Sequence, residues 1–422
     1  MLFHKKLRFL LLLSFVLSGS ASVFSQVEKE VNPPFNIKTV SFVQSGANTI
    51  PMFRLGDTFE LQFDDLFGNE ADYYYTITQY NYDWTPTILA KSEYLQGMDN
   101  QRIMTYQNSF NTLQIYSHYK QAFPNRFNRI LLSGNYMIKI FNDNQELVFS
   151  RRFIVYEENL SVALQIKRSR NLTDIEKKQN LDFTIKMGDN NTLQNPVQNI
   201  KVALLQNGRW DNAILNIKPQ YTLGSDLIYR YNQETQFWGG NEFLYFDNKD
   251  IRNPGNNVGK VTSGEIYNSL LFANSPRGDK PYTYYPDING SFYVRNIGSE
   301  NGETEADYAW VYFTLIPPTT IDKKDIYING MFNNFALAPE NKMDFNAQKG
   351  VYEKAILLKQ GFVNYQYVLL DAKGKVDNQN AIDGNFYQTE NNYFVIVYYR
   401  GNNDRYDKII GRGFATSENI TN

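Results

Sequence analysis

The sequence predicts an all-β protein: tandem immunoglobulin-like β-sandwich domains following a cleaved signal peptide. Three observations lead there. Apolar and polar residues alternate with period two in many short runs, the pattern of strands with one buried face. Aromatic residues abound, with 31 Tyr, 30 Phe and 4 Trp in 422 residues, and such side chains pack well across pleated surfaces. Turn-forming clusters such as "FGNEAD", "LLSGNY", "FNDNQE" and "DAKGK" separate the runs, while no amphipathic run of helical period stands out.

The leader comes first. Lys5, Lys6 and Arg8 precede the apolar stretch Phe9 to Leu17, and small residues then lead to Val23-Phe24-Ser25. That order is the n-, h- and c-region of a secretory signal, with cleavage expected between Ser25 and Gln26. The apolar stretch is too short for a stop-transfer helix, and no Cys follows it to carry a lipid. Export is the expectation.

Alternating strands then recur: Phe59, Leu61 and Phe63; Tyr136, Ile138 and Ile140; Val162, Leu164 and Ile166; Val311, Phe313 and Leu315. Two seams divide them. "YEENL" (Tyr156 to Leu160) separates one strand from the next, and Pro317-Pro318 break a strand before a polar linker. The expected blocks are therefore 32–157, 158–317 and 318–410, each of sandwich size. The polar stretch "NKDIRNPGNNVGKVTSG" reads as an exposed loop, and residues 411–422 read as a loose tail.

Composition excludes several functions. The formal net charge is −2, which leaves no basic excess to neutralise nucleic-acid phosphates. Cys is absent, so disulfides and thiolate metal sites are impossible. Of the two His, His4 leaves with the leader and His118 remains, too few for HExxH or a facial triad. Neither a GxSxG elbow nor a Walker loop occurs. His118 lies in "QIYSHYKQAF" without an activated-Ser motif, so it reads as a half-exposed strand residue. Asp64, Asp65, Glu70, Asp72, Glu242 and Asp307 could pair as carboxylates, but acids at strand ends ordinarily serve turns. No catalytic, cofactor-binding or metal-ligating residue is expected.

The aromatic turn "TQYNYDWTPT" is the strongest local feature. Tyr82 and Trp84 either cap a sandwich core or form an exposed rim for a partner, since Trp and Tyr are enriched at binding hot spots.

Co-linear stretches extend this reading: "LGDTFELQFDDL", "YNYDWTPTILAKSEYLQG", "SFNTLQIYSHYKQAFPN", "LSGNYMIKIF", "RRFIVYE", "GGNEFLYFDN", "EADYAWVYFTL" and "GNFYQTENNYFVIVYYR". Together the sequence resembles the plug-protein family of the type IX secretion system across nearly all of the chain after the leader. It departs at Tyr80-Asn81, where a Cys-Asn pair is expected. The resemblance implies a non-enzymatic periplasmic protein at the inner face of the outer membrane. It would bind the SprA-type translocon barrel and occlude its channel between substrates, with no cofactor and no small-molecule substrate. The rival expectation is an exported glycan-binding accessory protein that uses its C-terminal block.

That block resembles the early-set sandwich of starch- and glycogen-binding modules through Gly330, Phe332-Asn333, Gly350-Val351-Tyr352 and the alternating Tyr365 and Tyr367. Phe335 stands where a stacking Trp is expected. Phe332 and Phe335 therefore join Tyr82 and Trp84 as candidate partner contacts.

Overall fold

Strand pairing sorts the chain into three β-sandwiches. The computed structural model describes residues 27–188, 193–318, 324–418 and 420, so the leader and its Ser25/Gln26 cleavage lie outside the described residues. The fold is nearly all β, with 46% strand and 5% helix.

Sandwich one uses Ile37 to Tyr156. One sheet runs Ala47–Asn48, Ile37–Gln44, Phe59–Asp65, Ser117–Phe123, Thr105–Asn108. The other runs Met52–Arg54, Leu147–Tyr156, Gly134–Phe141, Tyr74–Tyr80, Gln101–Arg102. Alternation decides what meets between them. Leu61 and Phe63 from the first sheet pack with Ile77, Ile138, Ile140 and Phe153 from the second, because side chains two apart share a face.

Sandwich two begins with Ser161–Arg168, Lys178–Lys186, Asp226–Tyr229 and Tyr221–Leu223, with Gln236–Trp238 also on Lys178–Lys186. Its facing sheet is Ile214–Leu215, Ile200–Gln206, Asn392–Tyr399, Lys408–Thr416. Half of that sheet thus comes from the far end of the chain. Leu181, Phe183 and Ile185 share one core with Val202, Leu204, Val395 and Val397.

Sandwich three is inserted between these halves. Leu244–Asp247, Gly361–Leu370 and Phe292–Val294 pair in one sheet, with Asp325–Asn329 also on Gly361–Leu370. The facing sheet runs Val258–Ser263, Tyr267–Leu271, Tyr308–Leu315, Val351–Lys359, Asp344–Asn346. Phe246, Val311, Phe313, Ile328 and Tyr365 meet at its centre.

This arrangement corrects the linear blocks 158–317 and 318–410. Pro317-Pro318 interrupt sandwich three internally, between Tyr308–Leu315 and Asp325–Asn329, and the real crossings lie after Trp238 and before Asn392. The stretch read as a loop ends in the edge strand Val258–Ser263, paired with Tyr267–Leu271. The expected loose tail starts inside the strand Lys408–Thr416. Glycines mask that strand in the sequence: a Cβ on Gly413 would stand 2.8 Å from the Val162 side chain, so close packing selects Gly where alternation would show an apolar residue.

Candidate functional site

The aromatic turn is built by its own polar atoms. Asp83 Oδ1 accepts from the Thr85 amide at 3.1 Å and its hydroxyl at 2.6 Å, and Trp84 takes the left-handed conformation at φ 62°. The turn does not face solvent. Tyr82 and Trp84 are each 3% exposed, which removes them as an open rim. Sandwich two covers them. Tyr82 meets Tyr398 edge-on at 5.0 Å, and Trp84 meets Trp210 likewise. The Tyr82 hydroxyl donates to the Val202 carbonyl (2.9 Å) and accepts from the Asn216 amide (2.7 Å). Met52, Tyr82, Ile154 and Tyr156 of sandwich one thereby share an apolar cluster with Ala203, Leu205, Phe394, Ile396 and Ile409. Asp407 sits beside it, accepting from the Tyr82 amide and from Lys201 and Arg400.

A second junction ties sandwich one to sandwich three through Asp64. This carboxylate is fully buried. Its Oδ1 meets His118 Nδ1 at 2.6 Å. Its Oδ2 accepts from Lys359 Nζ at 2.7 Å and from the Tyr308 hydroxyl at 2.6 Å. Lys359 also lies over the Tyr116 ring at 4.1 Å. Burial alone would raise the Asp64 carboxyl, yet Lys359 and His118 outweigh it and hold the group below its usual range. His118 is thus buried rather than half-exposed. Its Nε2 has no hydrogen-bond partner, so it activates no hydroxyl and the arrangement is not a nucleophile triad.

The other acids are engaged by neighbouring groups. Asp65 accepts from Tyr73, Asn36 and the Phe67 amide. Glu70 accepts from Tyr106 and Asn108, and Asp72 pairs with Arg102. Glu242 is buried, and desolvation pushes its carboxyl up to about 7. Among the described residues no three His, Cys, Asp or Glu side chains gather to hold a metal ion, and no helix is long and apolar enough to cross a membrane.

Phe332 is half-buried against the core of sandwich three. Phe335 is also half-buried, with the Arg209 guanidinium over its ring at 4.6 Å and Phe243 against it. Neither ring is an open platform for a pyranose.

The exposed apolar side chains lie elsewhere. Phe110 is 70% exposed, Phe67 65% and Ile115 58%, with Leu113 and Phe35 also in solvent. They are adjacent. A Cβ on Gly68 would stand 3.3 Å from Ile115. The Leu66 amide donates to the Asn36 carbonyl, and Phe35 stacks on Trp310 of sandwich three. The backbone of this edge is pinned: Phe110 N–H reaches the Thr304 carbonyl at 2.9 Å, and Asp307 accepts from the Leu113 and Gln114 amides at 2.6 and 3.1 Å. The result is a fixed loop bearing solvent-facing apolar side chains. The sequence carries a signal for it: "NSFNTLQIYS" holds Phe110, Leu113 and Ile115 in an otherwise polar run, more than a turn needs.

Comparison with known proteins agrees with this architecture. Residues 37–157, the whole of sandwich one, match the family described as Type 9 secretion system plug protein 1st domain. The crystal structure of a hypothetical protein from Parabacteroides merdae ATCC 43184, at 2.30 Å resolution, superimposes with a TM-score of 0.87 at 31% identity, over 93% of this chain and 100% of that one. No curated protein matches the chain. The chain therefore belongs to one family with the Parabacteroides merdae protein, and its first sandwich matches the type 9 secretion system plug first domain.

Proposed function

We propose that the protein is a non-enzymatic plug of the type IX secretion system. In this reading it binds the periplasmic side of the SprA-type outer-membrane barrel and covers the channel while no substrate passes. The match of residues 37–157 to the plug first domain carries the proposal. The fixed apolar edge around Phe67, Phe110 and Ile115 supports it, because it lies on that same domain. A barrel wide enough for folded cargo leaks unless its lumen is filled or covered. A contact of about 1,000 Å² or more gives such a cover specificity, and a loop already fixed by Asp307 and Thr304 loses little entropy on docking. Release requires cargo, or a second state of the barrel, to compete for the same contact.

The test is affinity purification of the tagged chain from outer membranes in mild detergent. Recovery of a giant barrel protein with the native chain, and its loss with Phe110→Asp/Ile115→Asp, is the expected result. Absence of any barrel from the native preparation overturns the proposal. The glycan-binding alternative through the C-terminal module has less support, because Phe332 packs inward and the Phe335 ring is covered by Arg209.

A further inference from the structure

Sandwich three is joined to sandwich two by two crossings. The chain leaves after Trp238 and returns through the segment before Asn392. Between the crossings lies a pocket of about 350 Å³, within the usual range of small-ligand sites, which favour domain junctions.

Its walls combine two chemistries. Trp238 supplies partly exposed aromatic surface, with the buried Phe243 and Tyr367 behind it, while Asn212, Arg277 and Asp383 supply polar atoms. Asp383 is 8% exposed. Its Oδ1 is satisfied by Arg277 Nε at 2.7 Å, but Oδ2 has no partner. Asn212 donates to Gln206 at 3.1 Å, and its own buried oxygen is also unpartnered. Buried acceptors are rarely left unsatisfied in folded proteins, and here two line one pocket. Whatever fills it must offer O–H or N–H donors. Of the other charges in the wall, Arg209 pairs with Asp211 and Asp377 with Lys324. A cation would stand against Arg277 and an anion against Asp383, so the matching occupant is neutral, rich in hydroxyls, and carries an apolar face.

We propose that this junction pocket binds one neutral sugar unit. Its hydroxyls donate to Asp383 Oδ2 and Asn212 Oδ1, and its C–H face rests against Trp238. Occupancy bridges both crossings and stiffens sandwich three against sandwich two. The site borders Phe335 of the C-terminal module through Phe243 and Arg209 but does not use the Phe332 or Phe335 rings. It lies apart from the apolar edge of sandwich one, so it stands whether or not the plug reading does.

The experiment titrates the full chain, after its leader, with methyl glucoside, methyl galactoside, methyl mannoside and N-acetylglucosamine, read by Trp fluorescence and calorimetry. Binding of at least one of these with a Kd of about 1 mM or tighter is expected. Asp383→Asn and Asn212→Leu should each weaken it by about tenfold or more, as for loss of a hydrogen bond. The fluorescence change should vanish in Trp238→Phe while calorimetric binding persists. Unliganded melting curves of the variants check that they are folded. The proposal is overturned by no binding of any of the four sugars, by binding unchanged in both variants, or by a blocked alanine tripeptide binding in their place.

Discussion

The two junctions made by sandwich one join their partners by different means. Toward sandwich two, the join is an apolar and aromatic cluster around Tyr82, Ile154 and Tyr398. Its one buried acid, Asp407, pairs with Lys201 and Arg400, whose side chains remain 38% and 35% exposed. Toward sandwich three, Asp64 and Lys359 are both out of water, with side chains 0% and 3% exposed. An apolar join tolerates small losses and is indifferent to pH. A fully buried ion pair punishes removal of either partner, because the survivor is left uncompensated in a low dielectric. The first junction is a weld; the second is a clamp that a change in charge can open.

The clamp offers the largest effect. Lys359→Met strands the Asp64 charge and should cost about 3–5 kcal/mol in chemical denaturation. Adding Asp64→Asn should recover much of that loss, since neither charge then remains. A single-variant cost below about 1 kcal/mol would mean that the pair is no clamp.

pH separates the junctions next. Asp64 is held below its usual range by Lys359 and His118, so its stabilisation is present above the ordinary aspartate pKa and lost as pH falls through the lower folded value. Glu242, at the crossing between sandwiches two and three, runs the other way. Burial raises it from 4.5 to about 7, so the folded chain keeps a proton that the unfolded chain has lost. Stability then falls as pH rises from about 4.5 toward 7, by on the order of 2–3 kcal/mol. Glu242→Gln should shrink that slope, part of which remains with Asp287, whose carboxyl burial raises to about 6, and an unchanged slope would contradict the assignment to Glu242.

The weld should respond more mildly. Tyr82→Phe keeps the ring but leaves the Val202 carbonyl and the Asn216 amide without their partner, for about 1–3 kcal/mol, with the same loss at pH 5 and pH 8. A loss that varied strongly with pH would show that Asp407, rather than the rings, holds this junction. The smallest effect belongs to Arg405→Ala. Its partner Glu93 is on the surface of the same interface, and exposed ion pairs trade Coulomb gain against side-chain entropy. The denaturation midpoint should not move.

Much of the fold was legible in the sequence because period two fixes which face of a strand is buried. Phe59, Leu61 and Phe63, and likewise Val311, Phe313 and Leu315, all point into cores. Alternation does not name a strand's partner. Nothing local in Asn392–Tyr399 says that it pairs with Ile200–Gln206, and the insertion of sandwich three was hidden for that reason. The clamp was hidden likewise. "DD" at 64–65 looks like a strand-end acid pair until Lys359, 295 positions away, is seen beside Asp64. Tyr82 and Trp84 were legible as an aromatic turn, while their burial depends on a sandwich assembled from distant sequence. The apolar edge needed the opposite inference, from Phe110 and Ile115 in a polar run to side chains left uncovered.

Site-specific photo-crosslinking in cells tests the proposed docking of this edge on the translocon barrel. A crosslinking residue at Phe110 should capture the giant barrel protein, while one at Leu172, which is 86% exposed on sandwich two, should not. Capture from position 172 with none from position 110 would overturn that docking.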